Sequence, residues 1–434
     1  MRRADDGSLV LDRGLVPIRP RAVRVQVKKG DQVTGTSKLS EFVPAADDSV
    51  EKRILQARDT LFEEELFHEL TREARILASS GVTTHHNLIQ CEYDEGQEIL
   101  LDLVDLDDVP DETEAADRTR EQDTIAEAIA YSLRILLSYA HRQNYQRRTQ
   151  FPPPLTTQRR STPQYQLLRP IISYLQHDSH VRSLQSFLAD LFQVLRSAGL
   201  PSTYTGTTFS SLNLSRKSSD PPTVESLVTR FLEPLQSKFS GTMANPTSTF
   251  AIKVLTNMPD SVQTRTVLGT EYGISIRLPS YPYVQPPPTF GLRSGAASLL
   301  VRMITLDLTT FITSVSAKHA TDAATTAPAE KPPLVWDAPF APYGELVATV
   351  PGSDRTKKIS LRLSRTELSL RTSWLRRKDG GDSDMDEEED GNPDDQPQAV
   401  GTLFYTWKGD GGGGGQKKTL EEVIVELSKS EFMT

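Results

Sequence analysis

The segment LFEEELFHELTREARIL, residues 61–77, concentrates side chains that can bind metals or transfer protons. His68 and Glu69 match the first half of the zinc-protease motif, but Arg72 occupies the position where zinc requires a second histidine on the same helical face. Glu65 and His68 have the spacing of one half of a di-iron site, and the sequence contains no second copy. Because both motifs are incomplete, we predict no catalytic residue, no metal and no cofactor here.

The apolar residues of the same segment recur every three or four positions, which predicts one apolar stripe on a helix. Burial of such a stripe contributes roughly 10 kcal/mol, so we expect neighbouring subunits or the core to cover it. The carboxylates should lie mostly on the opposite side, facing solvent or a partner. Two later predicted helices carry similar stripes. The candidate interface or core residues are Leu61, Phe62, Leu66, Leu70, Leu77, Ile125, Ile129, Leu133, Leu136, Leu184, Phe187 and Leu191.

The glycine run at 409–418 lacks the glycine directly before lysine that a phosphate-binding loop requires, and is interpreted as a linker.

Two other functional classes remain open as alternatives. A metal-dependent enzyme would have to gather dispersed ligands, and a nucleic-acid adaptor would have to use basic loops. The residues available for these alternatives are His85, His141, His177 and His180 for a metal, and Arg159 and Arg160 for nucleic acid.

The composition of the chain argues against nucleic-acid binding, internal disulfides and membrane association. The 434 residues include 49 basic and 58 acidic side chains, a net charge of −9 that disfavours sequence-specific nucleic-acid binding by the chain as a whole. The single cysteine, Cys91, excludes internal disulfides and is typical of a reducing compartment such as the cytosol or nucleus. No run approaches the roughly 18 apolar residues of a membrane span, so no membrane association is expected.

The order of helix-like and strand-like segments predicts an α+β, multi-part fold. It should contain long helices, a helical bundle and small antiparallel sheets, separated by Pro/Gly-rich and acidic linkers. We expect a strand–helix–hairpin unit at 1–106, an acidic linker at 107–117, a helical bundle at 118–245 and a mixed α/β domain at 246–434. Disordered insertions are expected at 317–340, 376–400 and 409–418, where charge, glycine or proline dominates.

The run ILQARDTLFEEELFHELTREARILASSGV at 54–82, followed by NLIQCEY and ILLDLV, resembles subunit 17 of the Mediator complex. The downstream order is similar as well, with LLRPIISYLQHDSHVRSLQSFLADL at 167–191 and TVPGSDRTKKISLRL at 349–363. The resemblance covers most of the chain and depends on a distinctive helix and on element order.

This resemblance implies a nuclear, non-enzymatic scaffold of the Mediator head module, a coactivator that bridges transcriptional regulators to RNA polymerase II and basal initiation factors. It implies contacts with head subunits 11 and 22 first, and with subunits 6, 8, 18 and 20. Family members are usually longer at the amino terminus, so we expect this chain to be a carboxy-terminal fragment or a truncated form. The apolar stripes would then be buried between subunits.

Overall fold

The protein is described by a computed structural model. The structure describes residues 2–3, 9–10, 19–39, 50–108, 121–150, 165–209, 223–258, 268–283, 289–326, 334–349, 355–376, 399–409 and 418–429.

The chain forms two compact units that are discontinuous in sequence. The first comprises Met1–Ser179, Lys217–Leu235 and Thr256–Thr270, and the second comprises His180–Arg216, Gln236–Leu255 and Glu271–Thr434. This division differs from the sequential boundaries expected at 106, 117 and 245, because one long helix, Leu168–Ser197, contributes residues to both units.

The first unit starts with two short strands, β1 (Arg2–Arg3) and β2 (Leu9–Val10), which pair only with each other in the described part of the chain. A separate five-stranded sheet organises the rest of this unit. The sheet itself contains β3 (Arg21–Lys29), β4 (Gln32–Thr36), β5 (Val82–His85), β6 (Leu88–Asp94) and β7 (Gln97–Asp105), in the order β4-β3-β7-β6-β5 with antiparallel pairs throughout. The expected hairpin is confirmed where Asp94 pairs with Gln97, and Gly96 has the positive φ of 68° that favours glycine in such a turn.

Helices α1 (Val50–Ile76) and α2 (Asp123–Thr149) pack against this sheet. Alternating Val23, Val25 and Val27 of β3 are buried, so the sheet presents an apolar surface to the helices. The amino-terminal part of α3 (Leu168–Ser197) and the short α4 (Val224–Phe231) add apolar residues to the same core. Thr223 caps the start of α4 by accepting a hydrogen bond from the Ser226 backbone N–H.

The second unit contains most of a second five-stranded sheet. Its strands are β8 (Thr203–Thr207), β9 (Leu235–Thr242), β10 (Thr249–Asn257), β11 (Gly269–Arg277) and β12 (Thr289–Phe290), in the order β12-β11-β10-β9-β8. Alternate residues of β10, including Phe250, Ile252 and Val254, are buried, as the two-residue period of the sequence predicts.

A third sheet lies in the second unit. Its strands follow one another as antiparallel neighbours: β13 (Asp337–Phe340), β14 (Glu345–Thr349), β15 (Arg355–Leu363), β16 (Glu367–Arg376) and β17 (Ala399–Lys408). Helix α5 (Arg293–Thr326) packs against β13 and β15, and α6 (Leu420–Leu427) packs against α5. A capping box between Thr419 and Glu422 starts α6. These elements confirm the expected α+β class.

Helix α5 is long and apolar enough, by length and composition, to cross a membrane, and is the one such helix in the described part of the chain. Of its most apolar 18-residue stretch, 56% is buried inside the protein, which is typical of a core helix. In its middle, buried Asp307 accepts hydrogen bonds from the Asn245 backbone N–H at 2.9 Å and from the Ser248 hydroxyl at 2.6 Å. This carboxylate therefore fixes the turn between β9 and β10.

Pro170 lies in the first turn of α3, where a missing backbone N–H costs nothing, so the helix runs continuously through it. Two segments differ from expectation for identifiable reasons. The helical region expected at 118–245 also contains β8 and β9, because the chain changes to strand after Pro201 and again after Pro234. The insertion expected at 317–340 instead continues α5 to Thr326 and forms β13, and its Leu334 and Trp336 are buried.

Candidate interaction site

The acidic segment of α1 contains one carboxylate that joins three elements of the first unit. Glu63 is buried and accepts hydrogen bonds from Arg134 Nε of α2 at 2.7 Å and from the Val23 backbone N–H of β3 at 2.8 Å. Arg134 Nη2 also donates to the Val23 carbonyl, at 3.4 Å. The side chain expected to face solvent therefore connects α1, α2 and β3.

A second carboxylate of α1 caps another helix. Glu73 and Arg169 each expose only 3% of their side chains, and Glu73 Oε1 lies 3.4 Å from Arg169 Nε. Glu73 accepts backbone hydrogen bonds from Leu167 at 2.7 Å, from Leu168 at 2.7 Å and from Arg169 at 3.3 Å. Burial raises the pKa of Glu73, while the three amides and the guanidinium oppose that rise. The carboxylate thus satisfies amides at the amino terminus of α3 that lack partners within the helix.

The other polar residues of the segment behave as the sequence predicts. Glu64 lies 3.5 Å from Arg21, Glu65 lies 2.9 Å from His141, and Glu69 pairs with Arg72 at 2.8 Å. His68 is exposed. The Glu69 side chain is only 12% exposed, whereas an exposed pair such as Glu65 with His141 contributes between about 0 and 1 kcal/mol. The buried carboxylates Glu63 and Glu73 therefore matter more to the fold than the exposed pairs.

The dispersed histidines do not converge on a metal site within the described residues, where no group of three metal-ligating side chains occurs. His141 contacts Glu65, His177 Nδ1 lies 2.9 Å from the Thr256 hydroxyl, and His180 Nδ1 lies 2.5 Å from the Tyr272 hydroxyl. His85 ends strand β5 with its side chain exposed. Arg159 and Arg160, named for the nucleic-acid alternative, lie outside the described residues.

Two further reactive groups are structural. Burial raises the pKa of the Cys91 thiol to about 12, so the thiolate nucleophile does not form near neutral pH. Burial also lowers the pKa of Lys357 to about 8. Its ammonium donates to the carbonyl of Leu427 at 2.5 Å, at the end of α6, and lies 4.4 Å from the centre of the Trp374 ring. Lys357 therefore holds the last helix against the third sheet.

Most of the candidate stripe residues lie in the cores of this chain. Of the two positions expected for these side chains, the core and a subunit interface, the core describes them, because the chain's own sheets and helices cover them. Leu61 is the exception, with 56% of the residue exposed, because it lies five positions before Leu66 and thus on the opposite side of α1. The buried or partly buried members are Phe62, Leu66, Leu70, Leu77, Ile125, Ile129, Leu133 and Leu136 in the first unit, and Leu184, Phe187 and Leu191 in the second.

The outward side of α2 carries apolar residues that remain exposed to solvent. Tyr131 and Ile135 lie one turn apart and are 59% and 48% exposed. Tyr131 borders a cleft of about 490 Å³ that Phe62, Glu63 and Arg134 also line. Further exposed apolar residues of the first unit lie on α4, whose Glu225 lies 3.1 Å from Arg142 of α2; they are Val224 and Leu227. We define Tyr131, Ile135, Val224 and Leu227 as the outward patch.

Comparison with known proteins identifies the family. Residues 1–195 match the family model described as subunit 17 of the Mediator complex. The "Mediator of RNA polymerase II transcription subunit 17" of Aspergillus oryzae is 46% identical over 434 residues, covering 99% of this chain and 64% of the relative. The protein of the same name from Coccidioides immitis is 34% identical over 467 residues, covering 99% of this chain and 65% of the relative. The chain belongs to the Mediator subunit 17 family. The resemblance inferred from residues 54–82 is thereby confirmed.

The chain spans less than two thirds of the length of both Mediator subunit 17 relatives. A chain in the "Structure of the Schizosaccharomyces pombe Mediator head module" aligns with a TM-score of 0.45 at 13% identity, over 66% of this chain and 60% of that chain. This structural likeness is too weak to carry an argument about fold or function.

Proposed function

We propose that this chain is a non-enzymatic scaffold subunit of a nuclear Mediator head module. In this role it would act as a transcription coactivator that bridges regulators to RNA polymerase II and basal initiation factors. The observation that carries the proposal is the 46% identity, over 99% of the chain, to a protein named as subunit 17 of Mediator.

The distribution of polar groups supports a structural role over catalysis. Glu63 and Glu73, the buried carboxylates of the segment that first suggested chemistry, are saturated by an arginine and backbone amides. A general base needs a free oxygen within hydrogen-bond distance of a substrate proton. Carboxylates held in this way position helices instead.

The outward patch supports a role in assembly. Exposed apolar side chains on adjacent helices are typical of surfaces that bind other proteins. We propose that head subunits 11 and 22 cover this patch, and that subunits 6, 8, 18 and 20 are further neighbours of the chain.

Co-expression with subunits 11 and 22, followed by size-exclusion chromatography, tests this proposal. We expect the three chains to elute together. The double variant Tyr131→Asp, Ile135→Asp should weaken their association by about 10-fold or more, because it places two charges in an apolar contact. Leu292→Asp, at an exposed residue of the second unit, is the matched control and should leave association unchanged.

Two outcomes would count against the proposal in different ways. If the unmodified chain elutes apart from both subunits, the scaffold function proposed with these partners is wrong. If the double variant elutes with them as the unmodified chain does, the function stands and the assignment of the outward patch is wrong.

A further inference from the structure

Strand β17 forms one edge of the third sheet. It pairs along its length with β16, from Glu367 opposite Lys408 to Leu375 opposite Ala399. Within the described residues, no strand pairs with its other side. An edge strand leaves alternate backbone N–H and C=O groups without strand partners, and these groups can pair with another extended chain.

The two edges of this sheet differ in how they are protected. The opposite edge, β13, has four residues, includes Pro339 and shows a register shift between Asp337 and Phe340. Short length, proline and irregular register are the features by which natural proteins block edge pairing. Strand β17 has ten residues, and its run AVGTLFYTW at 399–407 contains neither a charge nor a proline. Its pairing with β16 shifts register at one end, between Ser373 and Leu375, so β17 lacks these protections over the regularly paired stretch Thr402–Trp407.

The side chains at the centre of β17 are apolar on both faces of the sheet. Phe404 is 61% exposed and lies opposite Arg371 of β16, while the adjacent Leu403 is partly exposed on the other face. Tyr405 and Trp407 are buried in the core, and the Trp407 indole donates to the Lys418 carbonyl at 3.0 Å. The strand is thus anchored at one end and presents apolar side chains at its middle.

We propose that β17 binds an extended segment of a different subunit by β-augmentation, in which the incoming strand adds to the sheet through backbone hydrogen bonds. The unpaired backbone of the edge determines the conformation of this partner, which must be a strand. Leu403 and Phe404 determine the residue pattern of this partner strand, which should place apolar side chains beside them on both faces of the sheet. This inference rests on the proposed function, because it requires an assembly that supplies the second chain.

Amide hydrogen exchange at single-residue resolution tests the inference on the full chain, alone and in the co-expressed complex with head subunits. In the isolated chain at low concentration, alternate amides of residues 402–408 should exchange rapidly. In the complex, the same amides should exchange about 100-fold more slowly, because pairing must open before exchange. The double variant Leu403→Lys, Phe404→Lys should abolish this protection, whereas Tyr343→Lys, at another exposed aromatic residue of the unit, should retain it.

The other outcomes overturn the inference. Slow exchange in the dilute isolated chain means that a segment of the same chain occupies the edge, and slowing that depends on concentration means that a second copy does. Unchanged exchange in a complex that forms normally refutes β-augmentation and leaves the proposed function intact. Failure of the complex to form refutes both.

Discussion

Glu73→Ala should lower the free energy of unfolding by about 3–5 kcal/mol, as expected for removal of one partner from a buried ion pair. The substitution removes the acceptor of three backbone amides at the start of α3 and leaves the guanidinium of Arg169, which is 3% exposed, without this carboxylate. Buried donors that lose their acceptor incur the desolvation cost without compensation. Urea unfolding of the purified chain, followed by circular dichroism, measures the change.

Glu65→Ala is the matched control because it makes the same substitution on the same helix. Glu65 has 49% of its side chain exposed and contacts His141 at the surface, so the loss should be about 1 kcal/mol or less. Glu73→Gln, which keeps one acceptor oxygen, should fall between the two. Equal losses for Glu73→Ala and Glu65→Ala would show that the cap does not stabilise the fold.

Leu133→Asp should have the second large effect. Leu133 is 1% exposed in the core of the first unit, where it belongs to the same cluster as Leu66 and Leu137. Loss of the leucine side chain and burial of a carboxyl group together should lower the free energy of unfolding by about 4 kcal/mol or more. This loss is a large part of the roughly 5–15 kcal/mol that stabilises a typical domain. The midpoint temperature of thermal unfolding should therefore fall markedly.

Ile135→Asp, two residues away on the same helix, is the matched variant that distinguishes the exposed side of α2 from its buried side. Ile135 is about half exposed, so the change should cost about 1 kcal/mol or less in the isolated chain. If Ile135→Asp destabilises the isolated chain as much as Leu133→Asp does, the assignment of the two sides of α2 is wrong.

The helical period predicts α1 and most of its buried stripe, but it does not separate buried from exposed positions everywhere. Leu61 belongs to the predicted interface or core stripe, yet five residues of helix place it on the other side of α1 from Leu66. The expectation that the carboxylates face solvent or a partner is wrong for Glu63 and Glu73, which are buried. Each lies three positions from a buried leucine, Leu66 or Leu70, and this spacing is the signal that could have found them.

Other differences arise from contacts that sequence spacing cannot describe. The Glu73 cap joins residues 94 to 96 positions apart, so this contact cannot be deduced from local pattern, although the apolar stripe predicts the helix that it caps. Trp336 follows a proline- and alanine-rich spacer, yet it is buried, and its indole donates to the Ser428 hydroxyl at 3.1 Å. The family, by contrast, could be predicted from the sequence, because it depends on residue identities along 54–82 and on element order.

We propose that the apolar stripes of α1 and α2 form the chain's own core, while the outward patch on α2 and α4 meets other subunits. Hydroxyl-radical footprinting of the isolated chain and of the co-expressed complex tests this claim most directly. We expect Leu66 and Leu133 to remain unlabelled in both states, and Tyr131 and Ile135 to be labelled in the isolated chain and protected in the complex. Labelling of Leu66 and Leu133 in the isolated folded chain, with protection only after assembly, would contradict the claim.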